Sequence, residues 1–95
     1  MTRTVCILSY DISSAKRRRK IVKALEGSAR RIQYSVFETF LPEGRLQELI
    51  KSTAQWLDVK AGDSLLVYRL CSECARRRNR YGGAIIDWEE VIIFE

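Results

Sequence analysis

The chain has 95 residues, a net charge of +5, 46% hydrophobic residues and a single Pro. That describes one small domain, residues 1–95, with enough apolar material for a core, and it excludes a disordered arm. No run reaches the roughly 18 apolar residues of a membrane helix, and the first residues lack the pattern of a signal peptide; the expectation is a cytoplasmic protein with no membrane partner.

The charge is unevenly spread. Eight of the 17 basic residues lie between Lys16 and Arg31, opposed there only by Glu26, and four more are Arg76, Arg77, Arg78 and Arg80. Clustered positive charge is the footprint of a polyanion partner, although a solvated face gives the same count.

The first predicted strand runs from about Thr4 to Tyr10. Its continuous apolar run, Val5-Cys6-Ile7-Leu8, suits a strand buried on both faces, and it stops at Tyr10-Asp11. Ser13 or Ser14 can cap the helix that follows, which should end near Gly27, taken as a left-handed terminator. Ile21, Val22 and Leu25 form its apolar stripe. At about 100° per residue, Lys16, Arg19, Lys20 and Lys23 fall on the outer side, and Arg17 is grouped with them. Arg18 projects between Ile21 and Leu25, toward the sheet edge where Asp11 should emerge. A cation in the first turn opposes the helix dipole and needs a nearby anion, which Asp11 or a phosphate can supply.

Arg30 to Leu41 alternates in the β manner, either as one long strand or as two joined at a bulge. Pro42 fits the first turn of a second helix, in which Leu46, Leu49, Ile50, Thr53 and Leu57 repeat at helical spacing. Trp56 lies just off that stripe and reads as packing. Ala61-Gly62-Asp63 is a turn into Ser64–Leu70, expected as a central strand. Cys71 to Tyr81 reads as a loop or short basic helix, Ala84 to Ile86 as a short strand and Val91 to Phe94 as a terminal strand. A terminal strand apolar on both faces must be covered, and a second copy of the chain is a natural cover. The order of elements predicts an α/β sandwich with helices on one face.

Cysteine usage adds little. Three cysteines make no disulfide framework, and Cys6 reads as a small core residue. Cys71-Ser72-Glu73-Cys74 is a lone C-x-x-C. With no His in the chain, zinc would require two chains to pool their cysteines, and no thioredoxin-like context supports a redox role.

Tyr10-Asp11-Ile12 closing the first strand, the Arg-rich helix after it, and Arg31-Ile32-Gln33-Tyr34-Ser35-Val36-Phe37-Glu38 resemble the small CRISPR-associated Cas-two family. Gly62-Asp63-Ser64-Leu65 and the tail elements LCSEC and EEVIIF fit as well, so the resemblance spans nearly the whole chain. It implies a ferredoxin-like βαββαβ fold with an added C-terminal strand, forming a homodimer in which tail strands within 84–95 pair with the partner's sheet. It implies a metal-dependent endonuclease acting on single-stranded RNA or duplex DNA, working with the Cas-one integrase in spacer integration. That partnership would be a heterohexamer or heterotetramer.

In this resemblance Asp11 matches the metal-binding carboxylate, two copies of which share one Mg²⁺ or Mn²⁺ near the dimer axis. Tyr10, Arg18, Arg31 and Phe37 match the other residues of the catalytic site. Lys20 stands where many relatives carry Arg, which keeps the charge but loses the bidentate fork. Ser14 and Ala15 replace acidic residues. The remaining cations, Lys16, Arg17, Arg19, Lys20, Lys23, Arg76, Arg77, Arg78 and Arg80, form the expected nucleic-acid track. A non-catalytic duplex-binding scaffold is the alternative function, since such contacts neutralise phosphates without reading bases. A third reading has Asp11 merely capping the helix or pairing with Arg18.

Overall fold

The computed structural model describes residues 2–88. A continuous apolar run needs cover on both faces and both edges, and β1 (Arg3–Asp11) obtains it at the middle of the sheet. It pairs antiparallel with β3 (Val36–Pro42) on one side and with β4 (Ser64–Leu70) on the other. β2 (Arg30–Gln33) completes the order β2-β3-β1-β4. With α1 (Ala15–Glu26) after β1 and α2 (Glu43–Ala54) after β3, the described chain is βαββαβ, the ferredoxin-like arrangement.

Period-two alternation divides β1 between the layers. Cys6, Leu8 and Tyr10 point under the helices, where Ile21 and Leu25 of α1, Leu46 and Leu49 of α2, and Phe37 of β3 complete the core. Ser14 starts α1 by accepting the Arg17 amide at 3.3 Å. Thr53 is tolerated inside because its hydroxyl donates to the Leu49 carbonyl at 2.8 Å. Thr39 has no such outlet, and its buried Oγ1 lacks a hydrogen-bond partner among the described residues.

The opposite face of the sheet is partly covered by the described segment that follows β4. After β4, α3 (Ser72–Arg76) leads into a segment anchored on buried Glu38. Arg78 pairs with the Glu38 carboxylate, and Trp88 Nε1 donates to it at 2.7 Å. The Trp88 ring stands 6.2 Å from that of Phe40. Leu66 and Tyr68 of β4 remain exposed.

Arg30 to Leu41 takes the two-strand alternative, with the break at Tyr34-Ser35 and a register shift between Arg31 and Gln33. Three expectations change. Ser64–Leu70 is an edge strand among the described residues, not a central one, which explains why only alternate residues are half-buried. Gly27 is right-handed at φ −70°, and α1 ends because the Gly27 and Ser28 amides both turn back to the Leu25 carbonyl. Ala84 to Ile86 forms no strand, since the segment is held by side chains: Arg78 Nη2 reaches the Ile86 carbonyl at 3.4 Å and Arg80 Nη1 the Ala84 carbonyl at 3.5 Å. The predicted terminal strand, Val91 to Phe94, lies outside the described residues.

Candidate nucleic-acid site

Asp11 ends β1 opposite Ser64 and is exposed. Because Tyr10 points under α1, alternation sends Asp11 to the face away from the helices, the side of Ile7 and Ser9. Arg18 is on the helical side, where its Nη2 donates to the Ile12 carbonyl at 3.0 Å. The alternative reading, in which Asp11 pairs with Arg18, is therefore not what the described residues show. The helical wheel gave the direction of Arg18 correctly, but the facing of a strand's last residue depends on pleat register.

The other residues matched to the catalytic site separate into two kinds. Phe37 is wholly buried and Tyr10 nearly so, with ring centroids 6.3 Å apart. As placed in the single chain, Phe37 is core and presents no surface of its own. Tyr10 pins the β2–β3 turn, its hydroxyl donating to the Tyr34 carbonyl at 3.2 Å and its amide to the Ser35 carbonyl at 3.1 Å. Arg31 is exposed, its guanidinium carbon 5.3 Å from the Phe37 ring centroid and 5.9 Å from that of Tyr34. Between α1 and this turn runs a groove of about 570 Å³, lined by Tyr10, Arg18, Arg19, Lys23, Arg31 and Tyr34 among others.

The predicted track of cations is thinned by ion pairs. Arg17, read as an outer cation, turns inward. Its Nε lies 2.8 Å from Asp63 Oδ2 and its Nη2 3.2 Å from Oδ1. Asp63 is buried and also accepts the Asp58 amide at 3.0 Å and the Ser13 amide at 3.1 Å. The Arg17 guanidinium first, and these amides next, hold the Asp63 carboxyl well below the usual carboxylate range. Arg78 is likewise engaged by Glu38, so Arg17 and Arg78 both spend guanidinium donors on carboxylates of their own chain. Arg76 pairs with Glu73 at the surface, Arg80 Nη2 donates to the Ile32 carbonyl at 2.9 Å, and Lys20 Nζ lies 4.3 Å from the centroid of the Trp56 ring. Lys16, Arg19, Lys23 and Arg77 remain as exposed cations outside these pairings. In a run of like charges the sequence cannot show which member meets a buried carboxylate 46 residues away.

Asp63 and Glu38 are the functional-looking carboxylates that sequence reasoning passed over. The signal for Asp63 was the Gly62-Asp63 pair, read as a turn and as part of the resemblance but given no role of its own. Gly62 adopts φ 89°, a left-handed backbone suited to Gly, and so aims Asp63 inward. The cysteines stay apart from the site. Burial pushes the Cys6 thiol up to about 11. Cys71 Sγ caps α3 by accepting the Cys74 amide at 3.4 Å, which lowers the Cys71 thiol.

Among the described residues no group of three or more Asp, Glu, Cys or His converges to hold a metal. Asp11 offers one exposed carboxylate per chain. That donor fits Mg²⁺, which accepts one or two carboxylates, only if waters, phosphate oxygens or a second chain complete the shell.

Residues 4–78 match the family described as CRISPR associated protein Cas2. The chain is 41% identical over 68 residues to the CRISPR-associated endoribonuclease Cas2 1 of Chloroflexus aurantiacus, covering 72% of this chain and 73% of that protein. It is 31% identical over 94 residues to the CRISPR-associated endonuclease Cas2 of Halalkalibacterium halodurans, covering 93% and 97%. The crystal structure of Streptococcus pyogenes Cas2 superposes with a TM-score of 0.70 at 26% identity, covering 82% of this chain and 99% of that one. The sheet order and these matches agree: the chain belongs to the CRISPR-associated Cas2 family.

Proposed function

We propose that the chain is a metal-dependent endonuclease of CRISPR adaptation, hydrolysing phosphodiester bonds in single-stranded RNA or duplex DNA as a homodimer. The observation that carries this reading is the position of Asp11, exposed at the end of β1 on the sheet face that also leaves Leu66 and Tyr68 uncovered. A second copy seated on that apolar face would supply a second Asp11, and the two carboxylates would hold one Mg²⁺ or Mn²⁺. The ion, when bound, supplies an activated water and charge stabilisation. Arg18 and Arg31 act from the other face of their own chain, so their part is to hold the strand's phosphates. The names of relatives, endoribonuclease in one case and endonuclease in another, support the reaction class.

The test is a divalent-metal titration of cleavage on wild type and Asp11→Asn in parallel. The expected outcome is a loss of cleavage of at least about a hundredfold, with duplex binding retained. Equal cleavage by the variant overturns the assignment.

A second reading, a duplex-binding scaffold for the Cas1 integrase, is favoured by the exposed cations Lys16, Arg19, Lys23 and Arg77. Such a complex should weaken steeply with salt. Spacer integration that survives charge reversal at Arg19, Lys23 and Arg77 together rules it out.

A further inference from the structure

In chain order no aromatic is interleaved with the cations, but the fold puts one among them. Tyr34 heads the turn between β2 and β3 and is 73% exposed. The turn beneath it is not loose, because Tyr10 ties down both of its carbonyls. Arg31 lies against the ring at 5.9 Å, and the rest of the ring is left to solvent. Across the groove, α1 presents Arg18, Arg19 and Lys23, and Glu26 is the one acidic residue of the lining. The volume, about 570 Å³, falls within the roughly 300–1,000 Å³ of small-ligand sites.

Cations that follow a backbone beside an aromatic held on a rigid support are the two parts of a single-strand site. The charges neutralise phosphates, and any base can stack on the ring. We infer that this groove takes an unpaired nucleotide, its base stacked on Tyr34 and its flanking phosphates held by Arg18, Arg19 and Lys23. A base inside a duplex is already stacked and cannot reach the ring, so the groove selects single strands, loops or frayed ends. This deepens the proposed nuclease function by giving Tyr34 and its groove a place in holding the strand, and it rests on that reading only for the statement that the bound strand is cleaved.

The experiment is fluorescence anisotropy in an Asp11→Asn background, which keeps the probes intact. The probes are a short single-stranded RNA, an abasic sugar–phosphate strand of the same length, and a blunt duplex. Tyr34→Ala should weaken binding of the RNA about tenfold, leave the duplex unchanged and bind the abasic strand as the parent does. Tyr34→Phe should retain RNA binding within about twofold, because stacking needs the ring and not the hydroxyl. Loss of less than about twofold in Tyr34→Ala, or an equal loss on duplex and abasic strand, overturns the inference. Cleavage by Asp11→Asn would remove the catalytic assignment yet leave the Tyr34 result standing. Uniform binding with cleavage lost would do the reverse.

Discussion

Arg17 Nε lies 2.8 Å from Asp63 Oδ2, joining the first turn of α1 to the loop ahead of β4. Three chain segments meet on this carboxylate, since Ser13 and Asp58 also donate to it. Full satisfaction is what makes a buried charge tolerable, and removing one member leaves the others unpaired. The pair thus ties the turn from β1 into α1 to the loop ahead of β4.

Asp63 should make the fold acid-sensitive. Its carboxyl is held below the ordinary value of 3.8 in the folded protein. A depressed folded value contributes stability that is present above the unfolded value and is lost as pH falls toward the folded one. Wild type should melt at nearly constant temperature from pH 7 to about 4 and then decline. Asp63→Asn should melt lower at pH 7 and show a shallower decline below about pH 4. Parallel calorimetric curves for the two proteins would show that another group sets the acid limb.

Arg17 and Arg19 are near neighbours on α1 with different work. Arg17→Ala should lower the melting temperature and leave the salt dependence of nucleic-acid binding unchanged. Arg19→Ala should leave melting unchanged and reduce the slope of log affinity against log salt by about 1. Binding titrations at several salt concentrations distinguish the two, and a reduced slope for Arg17→Ala would place it on the binding surface.

Phe37 has no exposed surface and packs against Tyr10 beneath Arg31. Phe37→Ala should cost about 3–5 kcal/mol by chemical denaturation, a large fraction of the stability of a domain this size. Phe37→Leu should keep both fold and nuclease activity. A folded but inactive Phe37→Leu would show a direct part in the reaction.

Thr39 buries a hydroxyl with no partner among the described residues. Thr39→Val keeps the shape and removes the unsatisfied group, so stability should rise by about 1 kcal/mol. A loss of stability on denaturation would mean that the hydroxyl has a partner in the folded protein.

The first strand was legible because Val5 to Leu8 is apolar without a break, and only an interior strand accommodates that. The two helices were legible because their apolar positions recur at a period of about 3.6, and α1 began at Ser14 where a capping hydroxyl was available. These are local properties, and local chemistry determines them. The site was legible as a set of residue types but not as an arrangement. Nothing in the unbroken run of cations from Lys16 to Lys20 distinguishes Arg17, which enters an ion pair, from Arg19, which stays in solvent. Nor does chain order place Tyr34 across a groove from Lys23, since that needs the β2–β3 turn to fold back over α1.

The order of residues was thus enough for the strand and helix periods, the surplus of positive charge, the family, and Asp11 as the carboxylate at the end of the first strand. The packed molecule alone settled which face Asp11 takes, that Arg18 meets a carbonyl in place of it, and that Phe37 is core. Periodicity is written in neighbours along the chain, whereas the partner of a charge or the cover of a ring is set by pleat register and by contacts between segments far apart in sequence.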